Sequence, residues 1–139
     1  MNTCLIGFNL TNFLLAILLS KKGFEVDIIF DEKNKSKTNN RTIGISKKNI
    51  EFLKLILNIP NQFLWPILQI EILNLKNNPS KKIKFKDDKD ENFFLIKQSD
   101  LFQLSEKKCK QLKNIYFSKC TPNEILKLEK TNNYNLIFN

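Results

Sequence analysis

The apolar positions of the chain change period along its length. A short apolar run, Cys4-Leu5-Ile6, ends at Gly7, and a polar turn carrying Asn9, Thr11 and Asn12 follows. The unbroken apolar stretch Phe13 to Leu19 comes next, then a stop at Lys21-Lys22-Gly23 and a second apolar run, Val26 to Phe30, that ends on Asp31-Glu32. Short runs bounded by turn residues predict strands, and a longer run with no polar face predicts a helix packed on several sides. The pattern therefore predicts a strand over Thr3 to Ile6, a helix from about Leu10 to Lys22 stopped by Gly23, and an interior parallel strand over Val26 to Phe30. Two parallel strands joined by one helix must cross over right-handedly.

Downstream, Asp31 to Asn40 carries no apolar residue and predicts a solvated loop. Arg41-Thr42-Ile43-Gly44-Ile45-Ser46 predicts a short extended piece, with Ser46 placed to cap a helix whose Ile50, Leu53, Ile56 and Leu57 share one face and whose pattern stops at Pro60. Phe63-Leu64-Trp65-Pro66 predicts a connector that buries aromatic bulk. Ile70 to Leu75, Ile83 to Phe85 and Phe93 to Ile96 predict three short strands of one antiparallel patch. A helix from Ser99 to about Lys113, with Leu101, Leu104 and Leu112 inward and Cys109 near them, follows. A strand over Ile115 to Phe117, a segment Pro122 to Lys130 open between helix and strand, and a buried strand over Asn135 to Asn139 complete the reading. The fold class is α/β: a Rossmann-like βαβ parallel sheet flanked by helices, with a small antiparallel patch inserted, in a single domain over residues 1–139.

Composition narrows the function classes. The net charge is +9, yet every basic residue except Arg41 is Lys. Reading base edges and clamping phosphates in two-pronged fashion favour Arg, so the charge predicts a Lys-rich solvated surface and no specific nucleic-acid partner. Histidine is absent and the three cysteines, Cys4, Cys109 and Cys120, form no C-x-x-C pair. That excludes His-based triads and most zinc sites, and fits thiols kept reduced in a cytoplasmic setting. The acidic cluster Asp87-Asp88-Lys89-Asp90-Glu91 lacks the glycine and distal glutamate of a calcium loop, so it predicts a solvated turn and no metal site. The longest unbroken apolar run near the N-terminus, Phe13 to Leu19, is too short to span a bilayer, and no basic residue precedes it.

The chemistry sits at the first turn. A dinucleotide site there needs glycines for close backbone approach, a helix N-terminus facing the pyrophosphate, and an acid at the end of the second strand for the ribose hydroxyls. Gly7-Phe8-Asn9-Leu10-Thr11-Asn12 stands where that pattern reads G-x-G-x-x-G, so one glycine of three is present. Asparagine tolerates left-handed backbone, which lets Asn9 make the turn with its side chain in the space meant for phosphate. Asn12 adds bulk where the helix packs on the strand.

This order, Leu5 to Glu32, a polar loop, Arg41 to Ser46 and then a helix with Phe52-Leu53, resembles the N-terminus of the flavin-dependent aromatic-ring hydroxylases, the ubiquinone-biosynthesis hydroxylases in particular. The resemblance covers roughly the first 75 residues well and Phe93 to Asn139 more loosely. It implies FAD as cofactor, NAD(P)H as reductant and a small phenolic or quinone precursor as substrate. Gly7, Asn9 and Asn12 take the fingerprint positions, Asp31 is the ribose acid, with Phe30 at the strict count, and Arg41 is the family's arginine near the flavin. The arginine expected before the Ser99 helix is replaced by Gln98, Ser99 and Asp100. Strands over residues 70–96 are implied to begin a substrate domain, while the Gly-Asp motif that holds the ribityl chain is not in this chain. The implied protein is thus an FAD-binding portion, inactive alone and without an assigned catalytic acid or base. Two other readings stand beside it. One is a non-catalytic Rossmann-like interaction module. The other is a basic protein peripheral to a membrane, with Lys81-Lys82 and Lys107-Lys108 as contacts or with other ubiquinone-biosynthesis proteins as partners.

Overall fold

The apolar runs at the N-terminus form β1 (Asn2–Ile6), α1 (Leu10–Lys21) and β2 (Glu25–Phe30). In the computed structural model, residues 2–34, 41–73, 82–85, 93–128, 134 and 136–138 are described. The chain divides into two units, Met1–Asn40 with Gln98–Asn139, and Arg41–Lys97.

The first unit is built on a parallel sheet of β1, β2, β8 (Ile115–Lys119) and β9 (Leu136–Phe138), in the order β8-β2-β1-β9. β1 lies between β2 and β9, and β2 between β1 and β8, with every pairing parallel. Phe13, Ala16, Ile17 and Ser20 are the buried stripe of α1, at the three- and four-residue spacing of a helix that faces a core. α1 packs on α3 (Gln98–Gln111), whose buried positions are Leu101, Phe102, Ser105 and Cys109. The Cys109 thiol donates to the Phe13 carbonyl at 3.4 Å, so the two helices touch closely at that level.

Between the helices and the sheet lies an aromatic cluster. The ring of Phe8, on the turn after β1, is 4.9 Å from Phe13, 4.6 Å from Phe30 and 5.9 Å from Phe102, and Phe117 of β8 completes the group. Such edge and tilted pairs add to the burial of the rings themselves.

The first unit is interrupted in sequence between β2 and α3, and Asn114 helps to close it. Its side-chain nitrogen donates to the Phe24 carbonyl at 2.7 Å and the Ser20 carbonyl at 3.1 Å, and its side-chain oxygen accepts from the Ser20 hydroxyl at 2.6 Å. Its backbone carbonyl accepts from Val26 N–H at 2.9 Å. Gly23, at φ +84°, makes the tight exit from α1 that brings Phe24 there.

The second unit holds β3 (Thr42–Ser46), α2 (Lys47–Leu57), β4 (Trp65–Ile67), β5 (Ile70–Leu73), β6 (Lys82–Phe85) and β7 (Phe93–Lys97). Ser46 caps α2 by accepting from Asn49 N–H, and Asn58, in left-handed conformation at φ +51°, ends it ahead of Pro60. Ile50, Leu53, Ile56 and Leu57 are buried as the helical spacing predicts.

The antiparallel strands differ from the single patch that the turn spacing predicts. β5 pairs only with β6, while Phe93 to Lys97 pairs with β3 and β4 in a separate sheet of order β3-β7-β4. Trp65 and Pro66, expected in a connector, belong to β4, an edge strand where a proline removes no needed donor. Glu32–Asn34 forms a short 3-10 turn in place of plain loop, and Pro122–Leu128 is helix α4. The predicted polar loop over residues 35–40 and the acidic cluster 87–91 lie outside the described residues. Among the described residues no helix is long and apolar enough to cross a membrane.

Replacing Asn114 with Ala strands the Ser20 hydroxyl and the Phe24 carbonyl together. The expected cost is about 1–3 kcal/mol, read as a lower midpoint of denaturant unfolding with an unchanged slope; an unaltered midpoint would show that the clamp carries no stability.

Candidate functional site

The C-terminal ends of β1, β2 and β8 come out at one edge of the parallel sheet. Ile6 is the register partner of Ile29, and Phe30 of Lys119. Gly7 N–H donates to the Ile29 carbonyl at 2.8 Å, and Cys120 N–H to the Phe30 carbonyl at 3.0 Å. Open parallel sheets bind ligands at such an edge.

Gly7 leaves β1 with φ +116°, a conformation that L side chains rarely adopt. A Cβ there would also lie 2.9 Å from Asn9 Nδ2 and 3.4 Å from Asn12 Nδ2. The positive φ of the turn is therefore concentrated at Gly7. Asn9 does not use the left-handed region expected of it: it is extended, at φ −140° and ψ 164°, as an N-cap should be. Its Oδ1 accepts from Asn12 N–H at 2.9 Å.

Asn12 is also more than bulk. Its Nδ2 donates to the Ile6 carbonyl at 2.8 Å and the Gly7 carbonyl at 3.0 Å, strapping the first turn of α1 to the end of β1. Gly7, Asn9 and Asn12 are thus brought together in one small polar network. The first turn of α1 contains no acidic residue, so the positive end of the helix dipole faces no charge from its own turn.

Asp31 follows β2 at the same edge, and its Oδ1 accepts from Lys33 N–H at 3.0 Å. Phe30, at the strict count for the ribose acid, is buried in the aromatic cluster and offers no polar group to a ligand. A cleft of about 360 Å³ opens there, with Asp31, Glu32 and Lys33 on one side and Lys119, Cys120 and Thr121 on the other. Lys119 Nζ pairs with Glu32 at 2.8 Å across it. Thr121 and Glu124 cap α4 reciprocally: Glu124 Oε2 accepts from the Thr121 N–H at 2.7 Å and from its hydroxyl at 2.9 Å. Those bonds hold the Glu124 carboxyl below its ordinary pKa.

Arg41 belongs to the other unit, exposed just ahead of β3. Gln98, where the resemblance leads one to expect an arginine, begins α3 and carries a buried Oε1 without a hydrogen-bond partner among the described residues. No group of three or more metal-ligating side chains occurs among the described residues.

Two features of this edge escape sequence reasoning. The cleft depends on the β2–β8 pairing, which no local pattern announces. Asp27, flanked by Val26 and Ile28 in β2, accepts a hydrogen bond from the Tyr134 hydroxyl; burial first, and then that bond, raise the tyrosine pKa. Asp27 also lies beside Cys4 in register. Burial first, then the Asp27 charge, pushes the Cys4 thiol up to about 11, and burial pushes Cys109 up to about 12.

No protein-family model matches the chain, and no curated protein sequence does. Solved structures do match in fold. PqsL, a probable FAD-dependent monooxygenase from Pseudomonas aeruginosa, aligns at TM-score 0.62 and 12% identity over 86% of this chain and 32% of its own. The tetrameric form of 2-methyl-3-hydroxypyridine-5-carboxylic acid oxygenase aligns at 0.64 and 14% identity over 85% and 31% of the two chains. p-Nitrophenol 4-monooxygenase PnpA from Pseudomonas putida DLL-E4 aligns at 0.63 and 15% identity over 84% and 31%. The chain has the fold of part of these flavin monooxygenases and spans about a third of their length.

The thiols provide a check on the geometry of this edge. A thiol-specific reagent should modify Cys120 in the native protein and leave Cys4 and Cys109 untouched until denaturant is added, since only ionised, accessible thiols react. Burial and Glu124 raise the Cys120 pKa above 9.0, so its labelling rate should go on climbing past that pH. Native labelling of Cys4 at a comparable rate would contradict the buried place of β1.

Proposed function

We propose that the chain is the FAD-binding portion of a flavin-dependent monooxygenase. The observation that carries the reading is the strand-turn-helix edge itself. Gly7 is held at positive φ between a central parallel strand and the N-terminus of α1, and Asp31 lies at the end of the neighbouring strand. The sheet order β8-β2-β1-β9 has the arrangement of a dinucleotide-binding half, with the first strand inside and the second beside it.

The residues present fit the group in their backbone. Gly7 at positive φ directly after β1 supports a turn of the dinucleotide-binding kind, and Asn9 is extended, a conformation that glycine also takes. The cleft beside Asp31 has the room and the polar rim for the adenosine half. What differs is two side chains: the Asn12 amide, bonded back to the end of β1, and the Asn9 amide, which lies over Gly7. Gly7 and Asn9 would face the pyrophosphate and Asp31 the ribose. Arg41, the only arginine of the chain, corresponds by the family resemblance to the arginine near the flavin. When bound, FAD supplies the oxygen chemistry, and the protein supplies binding and orientation.

The finer reading belongs to the same proposal. Arg41 to Ser46, leading into the α2 cap, supports a hydroxylase of the ubiquinone-biosynthesis type, with NAD(P)H as reductant and a phenolic or quinone precursor as substrate. The chain would be one part of a larger or divided enzyme. Supporting this, Trp65, Phe93 and Leu95 share one face of the β3-β7-β4 sheet and are 42%, 38% and 36% exposed, with Lys97 over the Trp65 ring at 5.7 Å. The same apolar face also favours the second reading, a cofactor-free interaction module.

Titrating FAD into the purified chain should quench flavin fluorescence. Absence of quenching up to about 1 mM, where a site is worth only about 4 kcal/mol, would leave the interaction module as the reading. Arg41→Ala should weaken uptake about tenfold or more, as expected for loss of one charge-assisted contact of about 1.5 kcal/mol, without moving the unfolding midpoint. Unchanged uptake would remove Arg41 from the site.

A further inference from the structure

A turn that receives a pyrophosphate leaves the first N–H groups of its helix open to phosphate oxygens. Here one of them is already taken, since Asn12 N–H donates to Asn9 Oδ1 at 2.9 Å. The other end of the same amide, Nδ2, lies 2.9 Å from where a Gly7 Cβ would stand, in the space that the missing side chain of Gly7 leaves open.

We propose that the Asn9 side chain is an internal stand-in for a phosphate group: it closes the turn in the nucleotide-free protein and must release Asn12 N–H before a pyrophosphate can take its place. The inference rests on the flavin reading above.

Three observations favour an exchangeable cap over a fixed plug. The backbone of Asn9 is extended, so the turn does not depend on its side chain for its path. The loop is held by other bonds: Asn12 Nδ2 to Ile6 and Gly7, Gly7 N–H to Ile29, and the Phe8 ring in the aromatic cluster. The cap is neutral while the first turn of α1 has no acidic residue, so an anion interacts more strongly with the helix terminus than the amide oxygen does.

Titration calorimetry of ADP, which carries the same pyrophosphate, and of FAD into the wild type, Asn9→Gly and Asn9→Asp tests this, alongside the unfolding midpoint of each nucleotide-free protein. Asn9→Gly is expected to bind both about five- to tenfold tighter, because no cap need be released, and to unfold slightly earlier. Asn9→Asp, which caps the same amide with a full negative charge, is expected to keep its midpoint and bind at least about tenfold weaker. Asn9→Gly binding equal to or weaker than the wild type overturns the proposal while leaving the flavin reading in place. Failure of all three proteins to bind either ligand removes the flavin reading and the proposal with it. Should the glycine variant not fold, the wild type still decides: the Asn9 side-chain NMR resonances should shift when ADP binds, and resonances that stay fixed overturn the exchange.

Discussion

The pairing of β2 with β8 is the interaction on which the first unit depends. Val26 to Phe30 lies in register with Ile115 to Lys119, from which it is separated in sequence by the whole of the second unit and α3. Closing a flexible loop of roughly that length would cost on the order of 4 kcal/mol in chain entropy beyond a constant. The chain lowers that cost by making the insertion close on itself. Thr42, at its start, is the antiparallel partner of Lys97, at its end, so the second unit leaves and returns at neighbouring positions. Asn114 then fixes the join from the β8 side, with one side chain bonded to the end of α1 and to the turn before β2.

With β1 and β2 set by that join, the turn between β1 and α1 has little freedom, and its three fingerprint positions divide their tasks differently from three glycines. Only Gly7 needs a positive φ. Close contact between helix and strand, which a glycine at the third position permits, is replaced by hydrogen bonds from Asn12 to the last carbonyls of β1. The second position keeps a backbone any residue can adopt and uses its side chain as a cap. Missing glycines thus do not by themselves imply a lost turn. They move the question to what the asparagine side chains occupy.

Much of this was legible in the sequence because it is local. α1 and β2 follow from runs of apolar residues ended by Gly23 and Asp31, and α2 from the Ser46 cap and its buried stripe. The pairing of strands was legible only in part. Ile70, Ile83 and Phe93 head three short apolar-rich runs, and nothing local says that Phe93 to Lys97 prefers β3 and β4 over β6. The tertiary contacts carry that information: α2 packs on β3 and β7, and Ile96 of β7 is fully buried. Phe102 and Ser105, in the buried face of α3, were missed for a related reason. That face keeps Leu101 but leaves Leu104 and Leu112 only half-buried, because it turns toward α1 and the Phe8 cluster, and Ser105 is tolerated because its hydroxyl donates to the Leu101 carbonyl at 2.7 Å.

The candidate site shows the same division between local and tertiary information. The positions of Gly7, Asn9, Asn12 and Asp31 follow from a strand-turn-helix-strand reading, since each is defined by the element it ends or begins. Their chemistry does not. Asn9 could have taken a left-handed turn, faced solvent or capped the helix, and all three agree with its sequence. In the structure the cap is made: Gly7 alone takes the positive φ of the turn, Phe8 is anchored in the cluster with Phe13 and Phe30, and Asn9 Oδ1 accepts from Asn12 N–H. An apolar anchor at position 8 and a cap at position 9 thus stand side by side, and the cap sets how much of the helix N-terminus is open to an anion.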